Sequence, residues 1–248
     1  MQIQDVAVIG CGAAGMMAAI AAAETGASVT VYERNPFAGK KLRITGKGRC
    51  NVTNNCTARE LLDAVLNNSK FLYGVINRFT PADTMAFFEN AGVPLKTERG
   101  RRVFPVSDKA ADISDALLRT MKDYRVKILY GTRVDGIAET DGGVLVKCPG
   151  GEKMYRSVIV ATGGVSYPAT GSTGDGHRML RRLGVNITPL KPSLVPIVTA
   201  EDCSPLTGLT LKNVTLNVYH GDDTVYSELG EMLFTHFGVS GPLVLSAS

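Results

Sequence analysis

The hexapeptide Gly10-Cys11-Gly12-Ala13-Ala14-Gly15 constrains this chain more than any other stretch, because of what stands on either side of it. Residues 6–9 are a short β-branched run, residues 13–24 carry an alanine-rich helical pattern closed by Gly26, and residues 29–32 are a second apolar run. That is strand, helix, strand, with a G-x-G-x-x-G turn where the first strand meets the helix. In such a turn the first glycine permits the tight bend, the second lets backbone approach a pyrophosphate, and the third allows close helix packing. The helix N-terminus adds N–H groups and partial positive charge. Glu33 closes the second run, at the distance expected of an acid that accepts hydrogen bonds from ribose hydroxyls, and Arg34 follows it. The pattern reads as a dinucleotide cradle in an α/β fold.

Which dinucleotide turns on the next segment. Lys40, Lys41, Arg43, Lys47 and Arg49 stand within ten positions, interleaved with Gly46 and Gly48 and followed by Cys50 and Asn51. Charge-assisted hydrogen bonds from such a run can close over a pyrophosphate and the edge of a flavin. On spacing alone, a solvated basic loop explains the run equally well.

Further along, residues 59–91 read as helical, with Pro81 just inside a helix start after Thr80 and Gly92 just past its end. Ser107-Asp108 precedes another helix running to about residue 124, with Ile113, Leu117, Leu118 and Met121 on one side. Three strands follow, over residues 126–138, 144–148 and 155–161, and the last runs into Thr162-Gly163-Gly164. A strand that ends in Ala161-Thr162-Gly163 exposes backbone N–H groups at its carboxyl end, where ligands sit in open α/β sheets. Gly171-Ser172-Thr173-Gly174-Asp175-Gly176 opens a helix ending at Gly184, and is read as a loop packed on the nucleotide domain in preference to a second nucleotide site. After Pro189 and Pro192 the character becomes β, so a division into residues 1–190 and 191–248 is expected. Ser240-Gly241-Pro242 reads as a last helix start.

Hydrophobic residues at 44% and charged residues at 20% are those of a folded globular chain, and a net charge of +4 does not by itself indicate nucleic acid. Neither a basic stripe beyond residues 40–51 nor interleaved aromatics for base stacking is evident. The five cysteines lack C-x-x-C spacing, so neither a disulfide framework nor a metal site is indicated and a reducing cytoplasm fits. The long apolar stretch, residues 13–23, is shorter than the ~18 residues of a membrane span. Of the histidines, His236 is the candidate acid or base, although a lone histidine is more often structural, and His177 and His220 read as surface residues. Cys50 can be redox-active or simply packed. Arg99, Arg101 and Arg102 can meet an anionic substrate or solvent.

Beyond these readings, the sequence resembles the BaiN-like (aminoacetone-oxidase-like) FAD-dependent flavoproteins. The resemblance is carried by residues 9–15, Gly39-Lys40-Lys41, residues 45–54, Gly100-Arg101-Arg102-Val103-Phe104-Pro105, residues 161–164 and residues 235–242. It implies a Rossmann-like, three-layer FAD-binding domain with a helical insertion and a β-meander, plus the start of a β-rich second domain. In such a protein Gly10, Gly12, Ala13, Ala14, Gly15, Glu33 and Arg34 would hold the ADP half of FAD. Lys40, Lys41, Thr45, Gly46, Gly48, Arg49, Cys50 and Asn51 would run along the pyrophosphate towards the isoalloxazine. Val134 would meet adenine through its backbone, and Ala161, Thr162 and Gly163 would return the chain to the cofactor. The activity implied is hydride transfer with a small-molecule substrate, by amine oxidation or enone reduction, with NAD(P)H or oxygen as redox partner and without nucleic acid, membrane or metal. A flavin-binding protein of RNA modification, a non-catalytic binding module and an NAD-dependent dehydrogenase are the alternatives. Relatives would continue past the equivalent of Ser248 with a segment that closes over the flavin, and cofactor affinity without it would be poor.

Overall fold

The computed structural model describes residues 3–248. They divide into two compact units, one ending at Ile187 and the other spanning Thr188–Ser248.

The first unit is α/β of Rossmann type. Strand β1 (Gln4–Ile9), helix α1 (Ala13–Glu24) and strand β2 (Val29–Tyr32) form the βαβ unit, and all four residues of β2 are buried, as parallel strands covered on both faces require. The chain then leaves the sheet through a short strand β3 (Thr53–Asn54) and helices α2 (Ala58–Asp63), α3 (Ser69–Arg78) and α4 (Pro81–Asn90), the expected helical insertion. Thr57 with Glu60 and Thr80 with Asp83 make reciprocal capping boxes at the starts of α2 and α4. Strands β4 (Leu95–Glu98) and β5 (Arg102–Pro105) pair antiparallel and join β3 in a small three-stranded sheet.

Helix α5 (Ala110–Asp123) buries Ile113, Leu117 and Met121 and leads into β6 (Lys127–Leu129), which pairs parallel with β2. Ser107 does not cap α5; its hydroxyl accepts from the Lys109 amide and donates to Asp112 at 2.5 Å, and the helix starts at Ala110 with no side-chain cap. The single strand expected over residues 126–138 is two elements. Gly131 turns at a φ of +61°, the Gly131 amide bonds the Asn35 carbonyl and the Thr132 amide bonds that of Glu33, so the chain is drawn across the end of β2. It resumes as β7 (Gly136–Thr140), which with β8 (Gly143–Cys148) and β9 (Gly151–Val160) makes the meander. Strand β9 serves twice: residues 151–155 pair antiparallel with β8, and residues 155–160 pair parallel with β1. The sheet order is β6-β2-β1-β9-β8-β7.

Alternation along the central strands makes two cores. Val8 and Val31 pack with α1 and α5 in one, while Ala7, Ile9 and Tyr32 pack with Val134, Val146, Tyr155 and Met179 in the other. The Tyr32 and Tyr155 hydroxyls share a hydrogen bond of 2.9 Å inside the second core. Met179 comes from α6 (Asp175–Arg182).

The second unit is a four-stranded antiparallel sheet, ordered β10-β13-β12-β11, of β10 (Ile197–Val198), β11 (Thr210–His220), β12 (Asp223–Thr235) and β13 (Gly238–Ser240). Helix α7 (Pro242–Ala247) follows with Pro242 at its start, and it buries Leu243 and Val244.

Candidate functional site

The carboxyl ends of β1, β2 and β9 meet at the glycine turn, the place where open parallel sheets take ligands. Gly10 bends at a φ of +102°, and a Cβ on it would stand 2.5 Å from the Ala161 carbonyl oxygen. On Gly15 a Cβ would stand 1.9 Å from the Gly10 carbonyl oxygen, so this glycine is demanded by the packing of α1 on the turn. Gly12 differs. Its φ of −84° suits any residue, and a Cβ there meets nothing within 4 Å. The packing of the protein itself does not demand a glycine at this position. Gly12 is the N-cap of α1 and offers no side-chain cap, which leaves first-turn N–H groups to an anion.

Glu33 is buried at the end of β2 and braces the turn. One carboxylate oxygen accepts from the Cys11 amide at 2.8 Å, and the other accepts from the Asn35 backbone and side-chain amides, both at 2.7 Å. Burial, and the Glu33 charge beside it, push the Cys11 thiol up to about 12, and burial raises Cys50 as well. Both shifts favour the neutral thiol, which fits packing.

A cavity of about 840 Å³ opens along these strand ends, within the range of small-molecule and cofactor sites. Its wall includes Gly10, Gly12, Ala13 and Ala14 from the turn, and Glu33 and Arg34 from the end of β2. It also includes Lys40, Lys41, Thr45, Cys50 and Asn51 from the basic segment, Val134, and Ala161, Thr162 and Gly163 after β9. Gly15, Gly46, Gly48 and Arg49 stand outside the wall. Arg49 is held elsewhere: it pairs with Asp108 at 2.7 Å and with Glu98, and its guanidinium lies 4.2 Å from the centre of the Phe104 ring. Those two carboxylates outcompete the cavity for it and raise its pKa. Arg43 is likewise drawn to Asp115 at 2.6 Å, so of the five cations Lys40 and Lys41 alone face the cavity. Residues 46–48 and Cys50 all have positive φ, between 56° and 84°, a tightly coiled backbone that turns Asn51 inward and Arg49 outward. Lys41 also donates to the Ser166 carbonyl at 2.8 Å, tying the basic segment to the loop after β9.

Sequence reasoning does not reach the cluster around Asp175. This carboxylate, buried at the start of α6, receives Arg34 at 3.2 Å, Arg133 at 3.1 Å and Arg178. Arg34 also donates to the Thr173 hydroxyl and Asn35 to the Thr170 carbonyl, which fixes the loop of residues 170–174 on the first unit, as the loop reading expects. Asn35, Thr132, Arg133, Thr170 and Asp175 all join the cavity wall. The local signals were an acid opening a helix after a glycine-rich stretch and Arg178 three residues on; the other two partners lie 42 and 141 residues away along the chain.

One histidine falls differently from expectation. His177 is not a surface residue: it is half-buried in the cavity wall, with its Nδ1 enclosed and unpartnered, because α6 packs on the strand ends. His236 is exposed at the turn between β12 and β13, edge-on to Phe237 at 4.9 Å. Arg101 pairs with Glu60 at 2.9 Å, and Arg102 donates to the Arg99 carbonyl. Among the described residues no helix is long and apolar enough to cross a membrane.

These features fit FAD: a cradle kept open at Gly12, an acid at the end of β2 and one continuous cavity beyond them. Three curated relatives align over essentially the whole chain, and two stand for them. One is the 3-dehydro-bile acid delta(4,6)-reductase of Clostridium scindens, 31% identical over 98% of this chain and 59% of the relative. The other is the ribosomal RNA dihydrouridine synthase of Haemophilus influenzae, 30% identical over 100% of this chain and 61% of the relative. The chain thus spans about three fifths of their length. Among solved structures, the 3-ketosteroid-delta4-(5alpha)-dehydrogenase of Rhodococcus jostii RHA1 superposes with a TM-score of 0.56 at 18% identity, over 84% of this chain and 59% of that one, a likeness of fold. Residues 4–242 match the HI0933-like protein Rossmann domain, and the chain belongs to that FAD-binding family.

Proposed function

We propose that this chain forms the FAD-binding part of a flavin-dependent oxidoreductase that moves hydride between the flavin and a small organic substrate. The observation that carries the reading is the open space at Gly12, on the wall of a cavity that continues past Glu33 and the basic segment. When bound, FAD supplies two-electron chemistry, exchanging hydride with the substrate. The chain's own residues bind and orient it. Backbone at Gly10, Gly12, Ala13 and Ala14 faces the pyrophosphate, with Gly15 holding α1 against the turn. Glu33, with lone-pair capacity left beyond its three protein donors, accepts from the ribose, and Arg34 stands beside it. Val134 meets adenine through its backbone. Lys40, Lys41, Thr45, Cys50 and Asn51 line the way to the isoalloxazine, with Gly46 and Gly48 giving their loop its coil and Arg49 anchoring it. Ala161, Thr162 and Gly163 close the third side.

The two curated relatives favour reduction over amine oxidation. A delta(4,6)-reduction and the formation of dihydrouridine both saturate a carbon–carbon double bond conjugated to a carbonyl. For this chain we assign the same class, reduction of a carbon–carbon double bond conjugated to a carbonyl, for which bound FAD would supply the hydride and NAD(P)H would be the reductant. A free small-molecule enone is the first reading of the substrate and a uracil in RNA the second, the latter favoured by two dihydrouridine synthases among the relatives. All five cysteines are unpaired, which fits a reducing cytoplasm.

The test is an absorbance spectrum of the purified protein, followed by anaerobic photoreduction and reoxidation with an enone, uridine-containing RNA, an imine or oxygen. Yellow protein reoxidised by the enone supports the reading. Protein that stays colourless after addition of FAD overturns it, and reoxidation by RNA alone replaces the substrate.

A further inference from the structure

The cavity joins the two cores, and its two ends differ in chemistry. At one end Glu33, Arg34, Arg133 and Asp175 bring charge, next to Tyr32, Val134 and Met179 of the meander-side core. The wall also takes in Met17, Leu42, Phe87, Phe88, Ile113 and Leu117 from the core of α1 and α5, with Phe79 and Thr84 beside them. None of these eight side chains is charged. Their one hydroxyl, on Thr84, is satisfied by the Thr80 carbonyl at 3.1 Å.

Phe88, Ile113 and Leu117 are core residues, no more than 6% exposed, yet they border empty space. Protein interiors are close-packed, and an apolar cavity larger than a water molecule stays dry and accepts apolar guests. The walls are also set in advance. Pro81 and the Thr80–Asp83 capping box fix the start of α4, Phe87 and Phe88 brace each other edge to face at 5.1 Å, and α5 is pinned by its buried stripe. A preformed wall spares a ligand the ordering cost.

Resting on the function proposed above, we infer that this arm is the substrate-body pocket: it takes an uncharged hydrocarbon portion of a small molecule whose reacting group lies towards the flavin. A charged body is excluded because the arm offers no counter-charge and no free donor.

The experiment is calorimetric titration of the protein, FAD-loaded and FAD-free, with alkylbenzenes from toluene to butylbenzene, for the wild type and for Phe87→Trp and Thr84→Leu, which fill the arm. The expected result is a dissociation constant that falls by up to about fourfold per added methylene, with and without FAD, and a slope that collapses in both variants while the flavin spectrum persists. Affinity that does not change along the series overturns the inference. So does a slope present only without FAD, since the arm then houses the cofactor's own ring. Failure to bind FAD at all is read separately, from the absence of flavin absorbance; it counts against the proposed function, while the FAD-free slope still decides whether the arm is an apolar pocket.

Discussion

Gly12 and Gly15 belong to the same hexapeptide and have opposite physical reasons to be glycine. A methyl group on Gly15 must displace the Gly10 carbonyl oxygen at 1.9 Å, whereas one on Gly12 enters free space. Gly15→Ala should therefore destabilise the protein by about 1–3 kcal/mol, the usual range for overpacking, and FAD affinity should fall with it. Gly12→Val should leave the melting temperature of the FAD-free protein within a few degrees and weaken FAD at least tenfold. Thermal melts with and without FAD separate the two, and a Gly12→Val protein that binds FAD like the wild type would remove the argument from open space.

The turn also carries a buried titratable group. The Cys11 thiol is raised from 9.0 to about 12 by burial and by Glu33. The unfolded chain therefore releases this proton above pH 9 while the folded chain keeps it until about pH 12, so stability falls as pH rises through that window. Tyr32 and Cys50, also raised by burial, act in the same direction. Cys11→Ala should flatten the alkaline limb of a denaturant-midpoint profile between pH 9 and 12, and an unchanged limb would show that Cys11 is not responsible.

Among the elements, those with a local cause were legible and those assembled by distant contacts were not. The βαβ unit follows from periodicity and its glycines, and α4 from Thr80, Pro81 and Gly92 around an apolar stretch. Residues 126–138 read as one strand because their apolar pattern is continuous; what breaks them is the pairing of Gly131 and Thr132 with carbonyls at the end of β2. The small β3-β5-β4 sheet escaped notice because its strands are two to four residues long. Arg49 was read as facing the cofactor because nothing local reveals Glu98 and Asp108, 49 and 59 residues further on. Helix α2 offers a test at this scale. Glu60 accepts from the Thr57 amide and hydroxyl and pairs with Arg101, which together hold its carboxyl down from 4.5 to about 2. A depressed carboxyl contributes stability that is present above pH 4.5 and lost as pH falls through about 2. Glu60→Gln should thus lower the melting temperature slightly at neutral pH and lose most of that effect by pH 2, the exposed ion pair being weak. An equal effect at both pH values would exclude the carboxylate as its source.

For the molecule as a whole, every residue of the cavity wall lies between Ile9 and Leu180, inside the first unit. Between the end of α6 at Arg182 and β10 at Ile197 the backbone forms no helix or strand, and most of it is exposed. Protease cleavage concentrates in such segments, because a chain without ladder hydrogen bonds opens locally at little cost. Brief proteolysis of the FAD-loaded protein should therefore cut first within residues 183–196, and titration should show the N-terminal fragment binding FAD no more weakly than the uncut chain. A ligand that binds only the folded state stabilises it by about 2.7 kcal/mol at a hundred times its dissociation constant, so FAD should slow later cuts within the first unit and leave the rate of that first cut nearly unchanged. If FAD instead protects residues 183–196 as strongly as the first unit, this segment senses the cofactor and the first unit is not a self-sufficient flavin site.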